Sequence, residues 1–174
     1  MSATVTVIRA AVPSSVDEVR TLLRELAQAG ATARAEATAA RAEATDRTIR
    51  TWAFIGDLTV EDGLSENERV VEHDRIGRQA VRLAVDKTLC IGDSRAVHAL
   101  HQGAVMEGSW GEEAAIVASA EAAGRLLCDD ASWRPGDGDV VLVAANSASV
   151  AGLLDTVAGD LAYTLNDHRG NAAR

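Results

Sequence analysis

The sequence is poor in aromatic residues, in cysteine and in positive charge. It contains three Trp, one Tyr and one Phe, so its core has to be built mainly from Val, Leu, Ile and Ala. Its two cysteines, Cys90 and Cys128, are too few for a disulfide framework, and both sit in apolar text, where they read as buried thiols. Lys and Arg number 17 against 26 Asp and Glu, a net charge of −9. That balance argues against nucleic acid and against anionic membranes, both of which need a basic surface; it leaves room for a local basic pocket. No apolar run approaches the length of a membrane span, and MSATVTVIRAAV has no basic region leading into a long apolar stretch. The expected location is the cytoplasm.

What is present points to one folded domain. The chain has 174 residues, of which 47% are apolar, enough for a substantial core. TVTVI (4–8) reads as a first strand. Ser14 or Ser15 then caps a helix with Asp17 and Glu18 in its first turn, and Val16, Val19, Leu22, Leu23 and Leu26 form its apolar face. ARAEATA (33–39) is followed by ARAEATD (40–46), a direct repeat of high helix propensity. Gly30 makes the repeat either an extension of the first helix or a second helix after a break. The Ala-rich segment 28–48 is expected to be a helical insert, either a solvated spacer or an arm packed on a partner.

Further strands are expected at 50–56, 87–92 and 114–118, with helices from Glu66, over 94–102 and over 120–127. After the turn RPGDGD (134–139), DVVLVAA (139–145) is a continuous apolar run of the kind buried on both faces of a parallel sheet. A last helix is expected over 150–163, and 165–174 as a disordered tail, so that the domain spans 1–164. Alternating strands and helices with connections of this length imply an α/β, three-layer, Rossmann-like sheet of five or six mostly parallel strands, with helices on both faces.

Three stretches, EHDRIGRQAVRL (72–83), IGDSRAVHALHQGA (91–104) and MEGSWGEE (106–113), together with WAFIGDL (52–58), carry a specific likeness. They resemble the C-terminal domain of the Mur ligases, of the type that adds D-Ala-D-Ala to the peptidoglycan precursor, in the versions of high-GC actinobacteria. RPGDGDVVLV resembles the family's RPGDVVLV strand with two residues added. Nothing in the sequence resembles the family's ATP-binding central domain or its nucleotide-sugar-binding domain. The family's loop Asp-x-Tyr-Asn-Ala-Asn-Pro, which helps hold nucleotide and amino-acid substrate, is replaced here by Arg9-Ala10-Ala11-Val12-Pro13-Ser14-Ser15. Its Lys-x-Ser-Arg element becomes Ala144 at the lysine position, followed by Ala145-Asn146-Ser147-Ala148-Ser149. A cation beside a phosphate supplies much of the stabilisation in phosphoryl chemistry, and alanine cannot replace it. No G-x-x-x-x-G-K-[ST] loop occurs. ATP-dependent ligation by this chain alone is not expected.

In sheets of this class ligands bind outside the carboxyl ends of the strands. Arg9, Asp57, Asp93 and Asn146 stand at those ends, and His73 is expected near them. Asp57 and His73 are the candidate catalytic residues, as a carboxylate-oriented acid/base pair; the alternative is a retained structural hydrogen bond. Arg9, Asn146 and Ser147 are the candidate ligand-binding residues. Arg9 could hold an anion or pair with an acidic neighbour. Asn146, Ser147 and Ser149 could equally serve as caps of the following helix. His98 and His101 have helical spacing but lack a third ligand, so no metal is expected, and no cofactor. Glu66, Glu68, Glu72 and Asp74 read as a solvated helix face, and Trp110 as loop packing.

Three functions fit. The first is a non-ligase subunit that binds a partner protein and helps form an amino-acid-like small-molecule site, in secondary metabolism or cell-wall biosynthesis. The second is a self-sufficient small enzyme using Asp57 and His73 on such a substrate. The third is an inert muropeptide-binding paralogue.

Overall fold

The computed structural model describes residues 2–40, 48–109 and 111–168. Part of the second Ala-rich heptad, Trp110 and the end of the expected tail lie outside the described residues. The chain alternates strand and helix as β1 (Ala3–Arg9), α1 (Val16–Ala39), β2 (Thr51–Ile55), α2 (Glu66–Arg82), β3 (Lys87–Ile91), α3 (Arg95–Glu107), β4 (Ala114–Val117), α4 (Ala120–Asp129), β5 (Val140–Ala144), α5 (Ala148–Ala151), α6 (Leu153–Val157) and β6 (Tyr163–Asp167). The six strands form one parallel sheet in the order β4-β3-β2-β5-β1-β6.

Strand side chains alternate between two cores. Ile8, Ala53, Ile55, Cys90 and Leu142 pack against Val19, Leu23 and Leu26 of α1, Ile76 and Ala80 of α2, and Val97 and Leu100 of α3. Val7, Trp52, Phe54, Leu89, Val141 and Val143 face the other way, onto Leu127 of α4, Val150 of α5, and Leu153, Leu154 and Val157 of α6. This is the three-layer α/β arrangement expected, and β5 is central and buried along its whole length. Cys90 is fully buried and Cys128 half-buried; both are free thiols.

Four details differ from or refine the expectation. Gly30 does not break the first helix, which runs unbroken to Ala39. A Cβ at Gly30 would stand 2.4 Å from Thr51 Cγ2, so the glycine permits close passage over the start of β2. Ser15, rather than Ser14, caps α1 by accepting from the Glu18 amide. The expected helix over 150–163 is two short helices, and the expected tail begins with a strand. Ala162 takes a left-handed φ of 54°; Tyr163 then pairs with Ala3 and its hydroxyl donates to Pro135 O at 2.6 Å.

The turn 134–139 is anchored by its two acids. Asp137 accepts from the Thr4 amide at 2.7 Å. Asp139, fully buried, accepts from the Arg50 amide, the Gly136 amide and Trp52 Nε1 at 2.8–2.9 Å. Arg50 and Lys87 lie against the face of Trp52, and Lys87 also against Trp133. These contacts hold the amino-terminal end of the sheet closed.

Helices α2 and α3 cross through two glycines. A Cβ on Gly77 would lie 2.0 Å from Leu100 O, and one on Gly103 would lie 2.2 Å from Asp74 O. Neither backbone oxygen can move without breaking its own helix. Gly77→Ala and Gly103→Ala are each expected to lower stability by about 3 kcal/mol, the upper range for overpacking. Gly159→Ala, where a Cβ meets nothing within 4 Å, is the control and should change little. Urea midpoints measure all three; unchanged midpoints for Gly77→Ala and Gly103→Ala would refute the tight crossing.

Candidate functional site at the carboxyl rim of the sheet

The chain moves from β1 outward through β2, β3 and β4 with its helices on one face, then returns through β5 and β6 with helices on the other. The loops leaving β2 and β5 therefore diverge to opposite faces, and a crevice opens where they part. A cleft of 620 Å³ occupies this place, lined among others by Asp57, Gly92, Ser119, Asn146, Ser147 and Ser149. The second such divergence, between β5 and β1, is closed. Ser14 is fully buried there; its hydroxyl accepts from the Ala145 amide at 3.1 Å and lies 3.2 Å from Ala145 O.

Asp57 follows β2 and points toward α2 and α3. Its Oδ1 accepts from Arg69 at 2.9 Å and from the Ser94 hydroxyl at 2.7 Å. Ser94 also caps α3. The main chain of Asp57 forms part of the cleft wall, since its carbonyl accepts from the Asn146 amide at 2.8 Å. The carboxylate is one-third exposed, at 33%.

The expected direct pairing of Asp57 with His73 is not formed. His73 is fully buried under the rim. Its Nε2 accepts from the Leu58 amide at 3.1 Å, and Nδ1 lies 2.8 Å from Arg69 O. An acceptor at Nε2 requires the proton at Nδ1, so the ring is neutral and both nitrogens are engaged. Burial holds its pKa below the ordinary histidine value, with Arg69 adding to the effect and the Arg69 carbonyl, Asp57 and Glu66 opposing it. No nitrogen is free to take a substrate proton. Helical spacing held a signal of this depth: His73, Ile76, Gly77 and Ala80 form one buried stripe of α2.

Arg9 pairs with acidic neighbours. Both terminal nitrogens meet Asp155 at 3.0 Å, and Nε donates to Asp167 at 2.7 Å. Two carboxylates thus occupy the guanidinium that was a candidate for an anion. Asn146 does line the cleft, and its Oδ1 is shielded from solvent with no hydrogen-bond partner. Ser147 is exposed at the start of α5 and makes no side-chain capping bond. Ala144, where the resemblance would place a lysine, is buried in β5.

Of the acidic run on α2, Glu66 is exposed and the other three acids are engaged. Glu68 closes a capping box with Ser65, Glu72 pairs with Arg20 and Arg75, and Asp74 pairs with Arg78. His98 and Asp93 stand 3.8 Å apart at the surface. Among the described residues no group of three or more His, Cys, Asp or Glu is placed to hold a metal ion, and no helix is long and apolar enough to cross a membrane. Sequence reasoning missed Arg69 and Ser119 at the rim, and it read Ser14 only as a helix cap. Only Ser119, preceding the α4 pattern, carried a local signal.

The two candidate catalytic residues should therefore respond differently to substitution. His73→Ala leaves the Leu58 amide unpaired and opens a cavity, and is expected to cost about 3 kcal/mol. Asp57→Asn keeps an acceptor for Ser94 and loses only a part-exposed ion pair, worth less than about 1 kcal/mol after solvent screening. Thermal and urea unfolding test the contrast; equal losses would refute it.

The chain is 46% identical over 112 residues to the UDP-N-acetylmuramoyl-tripeptide–D-alanyl-D-alanine ligase of Mycobacterium leprae, a match covering 64% of this chain and 20% of that ligase. It is 40% identical over 127 residues to the ligases of that name from Mycobacterium bovis and Mycobacterium tuberculosis, covering 66% of this chain and 23% of each. No protein-family model matches the chain, and no solved structure matches it. The chain spans about a fifth of the length of the curated relatives it matches. About two thirds of this chain is thus homologous to a segment of the mycobacterial Mur ligases that carry D-alanyl-D-alanine in their name.

Proposed function

We propose that this domain is a non-ligase relative of the Mur ligase C-terminal domain whose rim supplies one wall of a site for an amino-acid-like small molecule. A partner protein component supplies the other wall, within actinobacterial cell-wall or secondary-metabolite biosynthesis. The observation that carries the reading is the open cleft at the divergence of β2 and β5, lined by Asp57, Gly92, Ser119 and Asn146. The cleft offers hydrogen-bonding groups, among them the exposed hydroxyls of Ser119, Ser147 and Ser149.

The same geometry favours binding over independent catalysis. The imidazole of His73 is fully engaged, and Asp57 is shared between Arg69 and Ser94. Phosphate-binding cations are lacking at the two positions where the family resemblance would place functional groups: Arg9 is taken by Asp155 and Asp167, and Ala144 is apolar. A self-sufficient enzyme built on Asp57 and His73 would need a free base that this arrangement does not offer.

Titration of isotope-labelled protein with D-alanyl-D-alanine tests the reading by amide chemical shifts. Shifts are expected at Asp57, Gly92, Ser119 and Asn146, with roughly millimolar affinity, because half of a site recovers little of the cost of immobilising a ligand. Magnesium–ATP is expected to leave the same amides unmoved. Absence of dipeptide shifts at the rim would overturn the small-molecule reading. Micromolar ATP binding in calorimetry would overturn the non-ligase reading.

A further inference from the structure

Asp57 lines the cleft, and the amides of the residues around it are held in two different ways. Gly56 donates to Ala144 O and Thr59 to Ser14 O, both main-chain carbonyls of fixed charge. Leu58 donates instead to the side chain of His73. Leu58 is fully buried, so its amide has no water to turn to if the ring withdraws.

We infer that His73 is the positioning residue of the cleft: its neutral ring, protonated at Nδ1, fixes Asp57 through the Leu58 amide, and releases that segment when the ring takes up a second proton. The second proton goes to Nε2, the atom that now accepts from Leu58. Two N–H groups then face each other at a distance set for a hydrogen bond, and the Leu58 amide is left unpaired. Asp57 is the neighbouring residue, and its carbonyl holds the Asn146 amide at 2.8 Å. Loosening at Leu58 therefore reaches both walls of the cleft.

Burial sets the direction, and the charges around the ring pull both ways. Arg69 and Glu66 act on it from its own helix, and Asp57 from the loop after β2. On the flanking helices, Arg20 of α1 is paired with Glu72, and Arg95 of α3 donates to Asn67. Burial is the largest influence and favours the neutral ring, so the folded-state pKa is depressed. A depressed histidine pKa means that the fold prefers the uncharged form. Its contribution is complete above the unfolded value of about 6.5 and is lost as pH falls through the folded value. The cleft is set at neutral pH and released by acid.

The inference goes beyond the ligand reading and holds for the protein alone, so its test needs no ligand. Nitrogen-correlated imidazole spectra of the full chain at about pH 7.5 are expected to show His73 protonated at Nδ1, the less common neutral tautomer of free histidine. On acidification the Leu58 and Asp57 amide shifts should move with the His73 midpoint, and the protection of Leu58, taken relative to the slower intrinsic exchange at each pH, should fall by about tenfold as its bond opens. His73→Gln keeps an acceptor for Leu58 without a titrating ring and is expected to remove this response. Protonation at Nε2 in the neutral ring would overturn the inference. So would amides that follow His98, His101 or His168 instead, or a domain that unfolds in acid while His73 is still neutral.

Discussion

The position of β5 between β1 and β2 is the constraint on which the rest depends. A right-handed parallel sheet that is extended in one direction and then resumed in the other must change the face on which its helices lie. Here the change puts α1, α2 and α3 on one side and α4, α5 and α6 on the other. It buries β5 on both faces and leaves loops of opposite direction side by side at the carboxyl ends. Of the gaps so created, the one between β5 and β1 is filled by the small hydroxyl of Ser14, and the one beside Asp57 remains open. Site and core thus have the same topological cause.

The two ends of the sheet are stabilised differently. At the amino-terminal end a buried carboxylate, Asp139, takes three hydrogen bonds and sits beneath a group of tryptophans covered by Arg50 and Lys87. Charge-assisted bonds to a fully desolvated acceptor are strong and leave little freedom. At the carboxyl end the acids are part-exposed and shared among arginines and serines. Rigidity at one end and exchangeable polar contacts at the other suit a domain that binds at its rim.

Much of the fold was legible in the sequence because its signals are local. VVLVA is apolar without interruption, and Ser65, Ser94 and Ser119 stand before recognisable helical patterns. The strand β6 was not legible. YTLND is short and polar enough to pass for a tail, and its stability comes from pairing with Ala3–Val7, far away in the chain. The rim positions of Asp57 and Asn146 followed from the rule for strand ends. Their partners did not, because Arg69 and Ser94 reach Asp57 only once two helices have packed. Arg9 was left open between an anion and an acid for the same reason, since Asp155 and Asp167 are brought to it by α6 and β6.

The glycine crossing of α2 and α3 bears on the rim as well as on the core. The carboxylate of Asp57 joins the amino-terminal part of α2, through Arg69, to that of α3, through Ser94. The contacts of Gly77 and Gly103 join the same two helices further along. Two separated attachments prevent a pair of rods from scissoring, where one would act as a pivot. A molecule that drew Arg69 away from Asp57 would remove the outer attachment and leave the helices free to open about the glycines. A small displacement of one side chain at the rim would then be converted, by leverage, into a change of shape along the whole helical face.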